Sequence, residues 1–182
     1  MIAIPFWLGE AVFTLVWVVV RLFVWKRQGQ INWKREAVLL LMYINLAVLL
    51  RFTFYPMARV DGKVQPLIFD VSGIFPFWIN FVPFVHLDDY VSRRAMIINF
   101  IGNIAMFIPS GIVLPIVYRR LDHFRKVVGA GFLISLCIEI LQLPFVGRSS
   151  DIDDLILNTS GVAIGYGIYA LVRALVKPKR KR

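Results

Sequence analysis

Long apolar runs constrain this chain more than any motif does. A helix needs about 20 mostly apolar residues to cross the hydrocarbon core of a bilayer. Ile4 to Trp25, interrupted by Glu10 and Arg21, meets that standard. So do Ala37 to Phe54, with Arg51 near its end, Met96 to Tyr118, and Ile152 to Val176. A further run, Val127 to Val146, is apolar but carries Ser135, Glu139 and Gln142. The expected fold is an all-α integral membrane protein, a bundle of about five transmembrane helices forming a single membrane domain over residues 1–182.

Composition agrees. Of 182 residues, 59% are hydrophobic and 18% charged, against about 45–50% and 25% in a soluble domain. Such hydrophobicity excludes intrinsic disorder. The single cysteine, Cys137, cannot form an internal bridge, which excludes a disulfide-stapled scaffold. The first span does not read as a cleavable signal, because no basic residue precedes it and Arg21, Lys26 and Arg27 lie at its far end.

One stretch resists this scheme. Pro66 to Val85 is rich in apolar and aromatic residues, among them Phe75, Phe77, Trp78, Phe81 and Phe84, yet contains Pro66, Pro76, Pro83, Asp70 and Gly73. Proline costs about 3 kcal/mol in a helix interior, and aromatic residues favour the membrane–water boundary. Residues 55–95 are therefore expected to form an extracytoplasmic, interfacial or re-entrant segment between the second and third spans. A sixth span is the alternative.

Charge chooses between them. The connections Lys26 to Glu36 and Arg119 to Lys126, and the tail at 177–182, hold most of the 21 basic residues. With five spans they share one side, where only Glu36 and Asp122 are acidic. Asp61, Asp70, Asp88, Asp89, Asp151, Asp153 and Asp154 fall on the other. The positive-inside rule then places the N-terminus outside and the basic tail in the cytoplasm, whereas an even number of spans breaks the partition. The net charge of +10 marks a membrane face. It does not point to nucleic acid, since the basic residues border spans and no nucleic-acid motif is present.

Ionisable and amide side chains inside spans are costly and mark function or interhelical bonding. In this topology they concentrate in the outer halves. Asn99 and Asn103 share a face at i,i+4, Glu139 and Gln142 at i,i+3, and Asp151, Asp154 and Asn158 lie on one stripe that Gly161 and Gly165 prolong. Gly131 and Ser135 extend the Glu139 stripe as a small-residue packing face. The Gly-xxx-Gly stripe suits packing within one chain or against a second copy, and the sequence does not choose.

The ordered set Asn99-x3-Asn103-x3-Phe107-x-Pro109-x-Gly111, then Glu139-x2-Gln142, then Arg148-x2-Asp151-x-Asp153-Asp154-x3-Asn158-x2-Gly161-x3-Gly165, with Asn80-x2-Pro83-Phe84 upstream, resembles the VanZ-like membrane proteins. The resemblance covers a core of about residues 51–169. It implies a small bacterial multispan protein of the cytoplasmic membrane. The family's named member confers low-level resistance to teicoplanin, a lipoglycopeptide antibiotic.

Three functions compete. In the first, an outward-facing pocket of Arg51, Asn80, Asn99, Asn103, Gln142, Arg148 and Asn158 binds a cell-envelope lipid or lipoglycopeptide. Arg148 grips an anionic group bidentately. In the second, the protein is an enzyme on an envelope lipid or peptidoglycan precursor. Glu139, Asp151 and Asp154 do acid–base work, and Asp151, Asp153 and Asp154 hold Mg²⁺ through their oxygens. No cofactor is established by a motif, and GxSxG, CxxC and P-loop patterns are absent. In the third, a lipid transporter, access from both sides is required. Polar groups confined to outer halves and the lack of an internal repeat speak against it.

Overall fold

The computed structural model describes residues 1–55, 59–70, 79–85 and 91–176. The chain forms two compact units, Met1–Ile79 with Ile140–Ser150, and Asn80–Glu139 with Asp151–Arg182. The expected tail at 177–182, together with Phe75, Phe77, Trp78, Asp88 and Asp89, lies outside the described residues.

Five α-helices carry the fold: α1 (Phe6–Gln28), α2 (Trp33–Phe54), α3 (Arg93–Val117), α4 (Phe124–Gln142) and α5 (Ile152–Val176). All but α4 are long and apolar enough to cross a membrane. α4 falls below that standard because Arg125, Lys126 and Glu139 occur within its 19 residues. The chain is an all-α membrane protein. α5 spans the residues expected of it. α4 stops at Gln142, four residues before the apolar run ends. Pro144 supplies no N–H and Gly147 adopts φ 73°, so the run leaves the helix as a turn.

In the first unit α1 and α2 form a helical hairpin. Gly29 closes α1 in the left-handed region, its N–H on the Trp25 carbonyl at 2.9 Å. Asn32 caps α2, accepting from the Arg35 N–H at 3.0 Å. The two helices meet through Thr14 and the Tyr43 hydroxyl at 2.9 Å, Phe13 stacked on Tyr43, and a forked Arg21–Glu36 ion pair. Gly9 admits the Tyr55 ring, and a β-carbon there would lie 2.1 Å from the phenol oxygen.

Short strands decorate the opposite end of this hairpin. β1 (Ile2–Ile4) takes in Ile4, the first residue of the first apolar run, and α1 begins only at Phe6. β2 (Arg59–Val60) and β3 (Lys63–Val64) form a hairpin whose turn, Asp61-Gly62, has both residues at positive φ, the geometry a two-residue hairpin favours. β4 (Leu67–Phe69) runs antiparallel to β1, pairing Ile2 with Phe69 and Ile4 with Leu67. Its other edge bonds the turn after α4, with Asp70 N–H on the Pro144 carbonyl and Val146 N–H on the Ile68 carbonyl, both at 2.9 Å. The described part of Pro66 to Val85 thus contains strand and turn, not helix.

In the second unit α3 and α5 pack along most of their length. A β-carbon on Gly161 would sit 2.2 Å from the Ile104 carbonyl oxygen, and one on Gly165 2.1 Å from that of Ile108. Contacts rise together along both helices, so α3 and α5 run parallel and α4 returns between them in sequence. Gly111 and Gly131 meet the same α5 surface, at Val162. The Gly-xxx-Gly stripe is therefore used inside the chain. Asp122, at the end of this unit where α4 begins, is taken by Arg173.

Candidate functional site

The residues singled out by sequence divide between the units. Arg51, Gln142 and Arg148 belong to the first. Asn80, Asn99, Asn103, Glu139, Asp151, Asp153, Asp154 and Asn158 belong to the second.

In the second unit the acids organise the start of α5. Asp151 is the N-cap: its Oδ1 accepts from the Asp153 N–H at 2.9 Å. The same oxygen accepts from Asn80 Nδ2 at 3.1 Å, while the Asp151 N–H donates to Glu139 Oε2 at 3.1 Å. Asp153 receives the Phe84 N–H on both carboxylate oxygens, at 2.8 and 3.1 Å. Asp154 accepts from the Asn103 side-chain amide. One turn deeper, Asn158 donates to Ser135 at 2.9 Å. From Asp151 to Asn158 this ladder descends about 10 Å along the helix. Acids in a first helical turn also face the positive end of the helix dipole.

The D-x-D-D carboxylates thus form a hydrogen-bonding ladder at the start of α5. Each carboxylate meets N–H donors of a different segment, and among the described residues no three metal-ligating side chains are gathered to hold an ion. Glu139 is buried at 3% exposure, whereas Asn99 lies exposed one turn before Asn103. Phe84 is held at φ 60° and stacked on Phe100. That conformation is rare for a bulky side chain, and nothing in its sequence neighbourhood signalled it.

In the first unit the three polar side chains do one job. The last carbonyls of a helix have no intrahelical donor. Gln142 Nε2 donates to the Thr53 carbonyl at 2.6 Å, Arg148 Nη2 to that of Phe54 at 2.7 Å, and Arg51 Nη1 to that of Tyr55 at 3.1 Å. Together they cap the C-terminus of α2, where cations are also favoured by the dipole. The Arg51 guanidinium lies 5.4 Å from the centroids of both Phe6 and Phe52.

Arg148, so held, also lines two cavities. One, of about 400 Å³, is lined by Asp70 and residues 143–149. The other, of about 370 Å³, is lined by Pro66, Leu67 and Ile68 and shares Val146, Gly147 and Arg148 with the first. Both fall in the size range of ligand pockets, about 300–1,000 Å³. The turn that walls them is pinned by its bonds to β4 and by Phe145, edge-on to Phe54 and Phe69. Sequence reading missed Asp70 as a cavity residue. The available signals were the Pro144 and Gly147 breakers, which mark a turn where the apolar run suggested helix.

Fold and site thus define a multispan helical membrane protein with polar groups gathered at helix ends. The VanZ/LLP1 family pattern matches residues 38–173, and the chain belongs to that family. It is similar to Protein VanZ of Enterococcus faecium, with 29% identity over 118 residues, covering 65% of this chain and 68% of that protein. No solved structure matches the chain significantly.

Proposed function

We propose that this VanZ/LLP1 protein lies in the bacterial cytoplasmic membrane with its N-terminus outside, and that it binds a cell-envelope lipid or lipoglycopeptide from the outer leaflet. The observation that carries this reading is the 400 Å³ cavity with Arg148 fixed in its wall. A guanidinium held by a backbone carbonyl is pre-organised for a phosphate or carboxylate, which it binds through paired N–H donors. The resemblance to VanZ extends the reading to glycopeptides, with low-level teicoplanin resistance as the cellular outcome.

The orientation draws support from the basic end of the hairpin. There Glu36 is engaged by Arg21, leaving Lys26, Arg27 and Lys34 exposed. Reporter fusions at residue 30 and at the N-terminus test it, with activity expected inside and outside respectively.

Binding is tested with the purified full chain, using teicoplanin and envelope phospholipids as probes and thermal melting as a control for folding. Arg148→Ala is expected to weaken binding by at least about tenfold, a charge-assisted bond's share. Unchanged binding in a folded Arg148→Ala protein counts against the reading. In cells, expression is expected to raise the teicoplanin concentration needed to stop growth.

A further inference from the structure

Residues 80–85 read Asn-Phe-Val-Pro-Phe-Val and carry no charge. Phe81 is 75% exposed, and Val82 and Val85 are more than half exposed. Single exposed apolar residues need no explanation, whereas a contiguous patch marks an interaction surface. The polar atoms of this loop are already engaged. Asn80 Nδ2 donates to Asp151 Oδ1 at 3.1 Å and to the Val82 carbonyl at 3.2 Å, and Asn80 Oδ1 accepts from the Val82 N–H at 3.0 Å. Pro83 has no N–H, and the Phe84 N–H goes to Asp153. From Val82 to Phe84 no backbone donor is left for water. The left-handed Phe84, held by both oxygens of Asp153, seats its ring on Phe100 of α3 with centroids 6.2 Å apart. Phe100 shares a face with Ile97 at i,i+3, and Ile97 with Ile101 at i,i+4, and both isoleucines are exposed. The loop thus adjoins the bare apolar stripe of a helix long enough to cross a membrane.

We propose that residues 80–85 form a fastened finger that enters the lipid leaflet bordering the start of α5, with Phe81, Val82 and Val85 as the inserted side chains. The proposal is independent of the cavity reading and of which side of the membrane that leaflet faces. A lipid surface is the partner these features fit. Lipid tails offer no hydrogen bonds, and the loop needs none between Val82 and Phe84. The stripe of Ile97 and Ile101 beside it belongs to a membrane-spanning helix. The loop is not helical, so its place is the headgroup–acyl boundary and not the bilayer centre, where irregular backbone does not face lipid. Asp151 and Asp153 act as fasteners. By accepting from Asn80 and Phe84 they fix the loop to the first turn of α5 and leave its apolar side chains free for the leaflet.

Cys137 is the single cysteine, so Cys137→Ser gives a background for one nitroxide label at a time. Labels at Phe81→Cys, Val82→Cys and Val85→Cys are carried by the full chain in phosphatidylcholine nanodiscs. Their collisions with lipid-soluble oxygen and with a water-soluble nickel chelate report depth. Ile101→Cys and Arg27→Cys, both at exposed positions, give the lipid and water references. All three loop labels are expected about 5–10 Å below the phosphates, the depth of an interfacial segment. Chelate collisions as frequent as at Arg27→Cys overturn insertion. Shielding from both oxygen and chelate shows protein over the loop and overturns the lipid assignment. In Asp153→Ala the label at position 81 is expected to leave that depth and gain chelate collisions. Asp153→Asn keeps one acceptor oxygen and is expected to shift it less, with matching melting temperatures showing that the variants fold. An unchanged depth in Asp153→Ala overturns the fastening.

Discussion

Arg148 donates through Nη2 to the carbonyl oxygen of Phe54, 94 residues earlier in the chain, at 2.7 Å. With Gln142 on Thr53 and Arg51 on Tyr55, it closes the end of α2. Gln142→Leu keeps the volume but leaves the buried Thr53 carbonyl without this donor. An unsatisfied buried acceptor costs about 1–3 kcal/mol. Thermal unfolding in detergent should show a loss of that size, and an unchanged midpoint refutes the capping role.

Gly165 and Gly161 bring α5 onto backbone oxygens of α3. Backbone cannot move aside as a flexible side chain does, so Gly165→Ala should cost at least about 1–3 kcal/mol, the range for overpacking. Gly167 on the same helix has nothing within 4 Å of a built β-carbon. Gly167→Ala is expected to be neutral or to stabilise by up to about 1 kcal/mol through helix propensity. Equal effects of the two substitutions argue against the packing.

Asp153 holds Phe84 in its left-handed conformation through two N–H···O contacts. In Asp153→Ala the Phe84 amide should exchange with solvent at least about tenfold faster, the loss of a charge-assisted bond. Asp153→Asn keeps one acceptor oxygen and should lie between. Unaltered protection in the alanine variant excludes the latch.

The Asn103–Asp154 contact joins α3 to the first turn of α5. Neutral pairs in membrane proteins couple by about 0.6 kcal/mol on average, whereas bonds to charged groups contribute about 1.5–3 kcal/mol. A double-mutant cycle of Asn103→Ala with Asp154→Ala should therefore give coupling above that average. Additive losses contradict the bond.

Tyr55, 2% exposed at the end of α2, has its phenol pushed above the usual value of 10.0 by burial, and further by the Glu10 charge. Above pH 10 the unfolded chain ionises this phenol while the folded chain keeps it protonated. The resulting stability is full below pH 10 and is lost as pH rises through the folded value. Tyr55→Phe should flatten the alkaline fall of the melting temperature. A parallel fall in both proteins rejects the assignment.

Much of this was legible in sequence. Ile152 to Val176 reads as a span and is α5. The stripes Asp151–Asp154–Asn158 and Gly131–Ser135 share faces as their spacing requires, because helical periodicity is local. The end of α4 was less legible, since hydrophobicity continues past Gln142 while Pro144 and Gly147 break the helix and Phe145 joins β4. β1, at the edge of the first apolar run, left no signal, because three residues carry no period. The Asp61-Gly62 hairpin did have a signal, an Asp-Gly pair between short β-prone residues.

Membrane entry and the approximate course of the five helices can be read from the amino-acid order alone. Those properties follow from hydrophobicity and helical spacing, which act over a few turns. Tertiary packing settles what the polar residues meet. It directed the D-x-D-D acids to Asn80, Phe84 and Asn103, and turned Gln142, Arg148 and Arg51 to the carbonyls of α2. It also spent the Gly-xxx-Gly stripe on Ile104 and Ile108 of the same chain. A buried donor or acceptor must find a partner where water is absent, and those partners lie tens of residues away, beyond the reach of any local pattern.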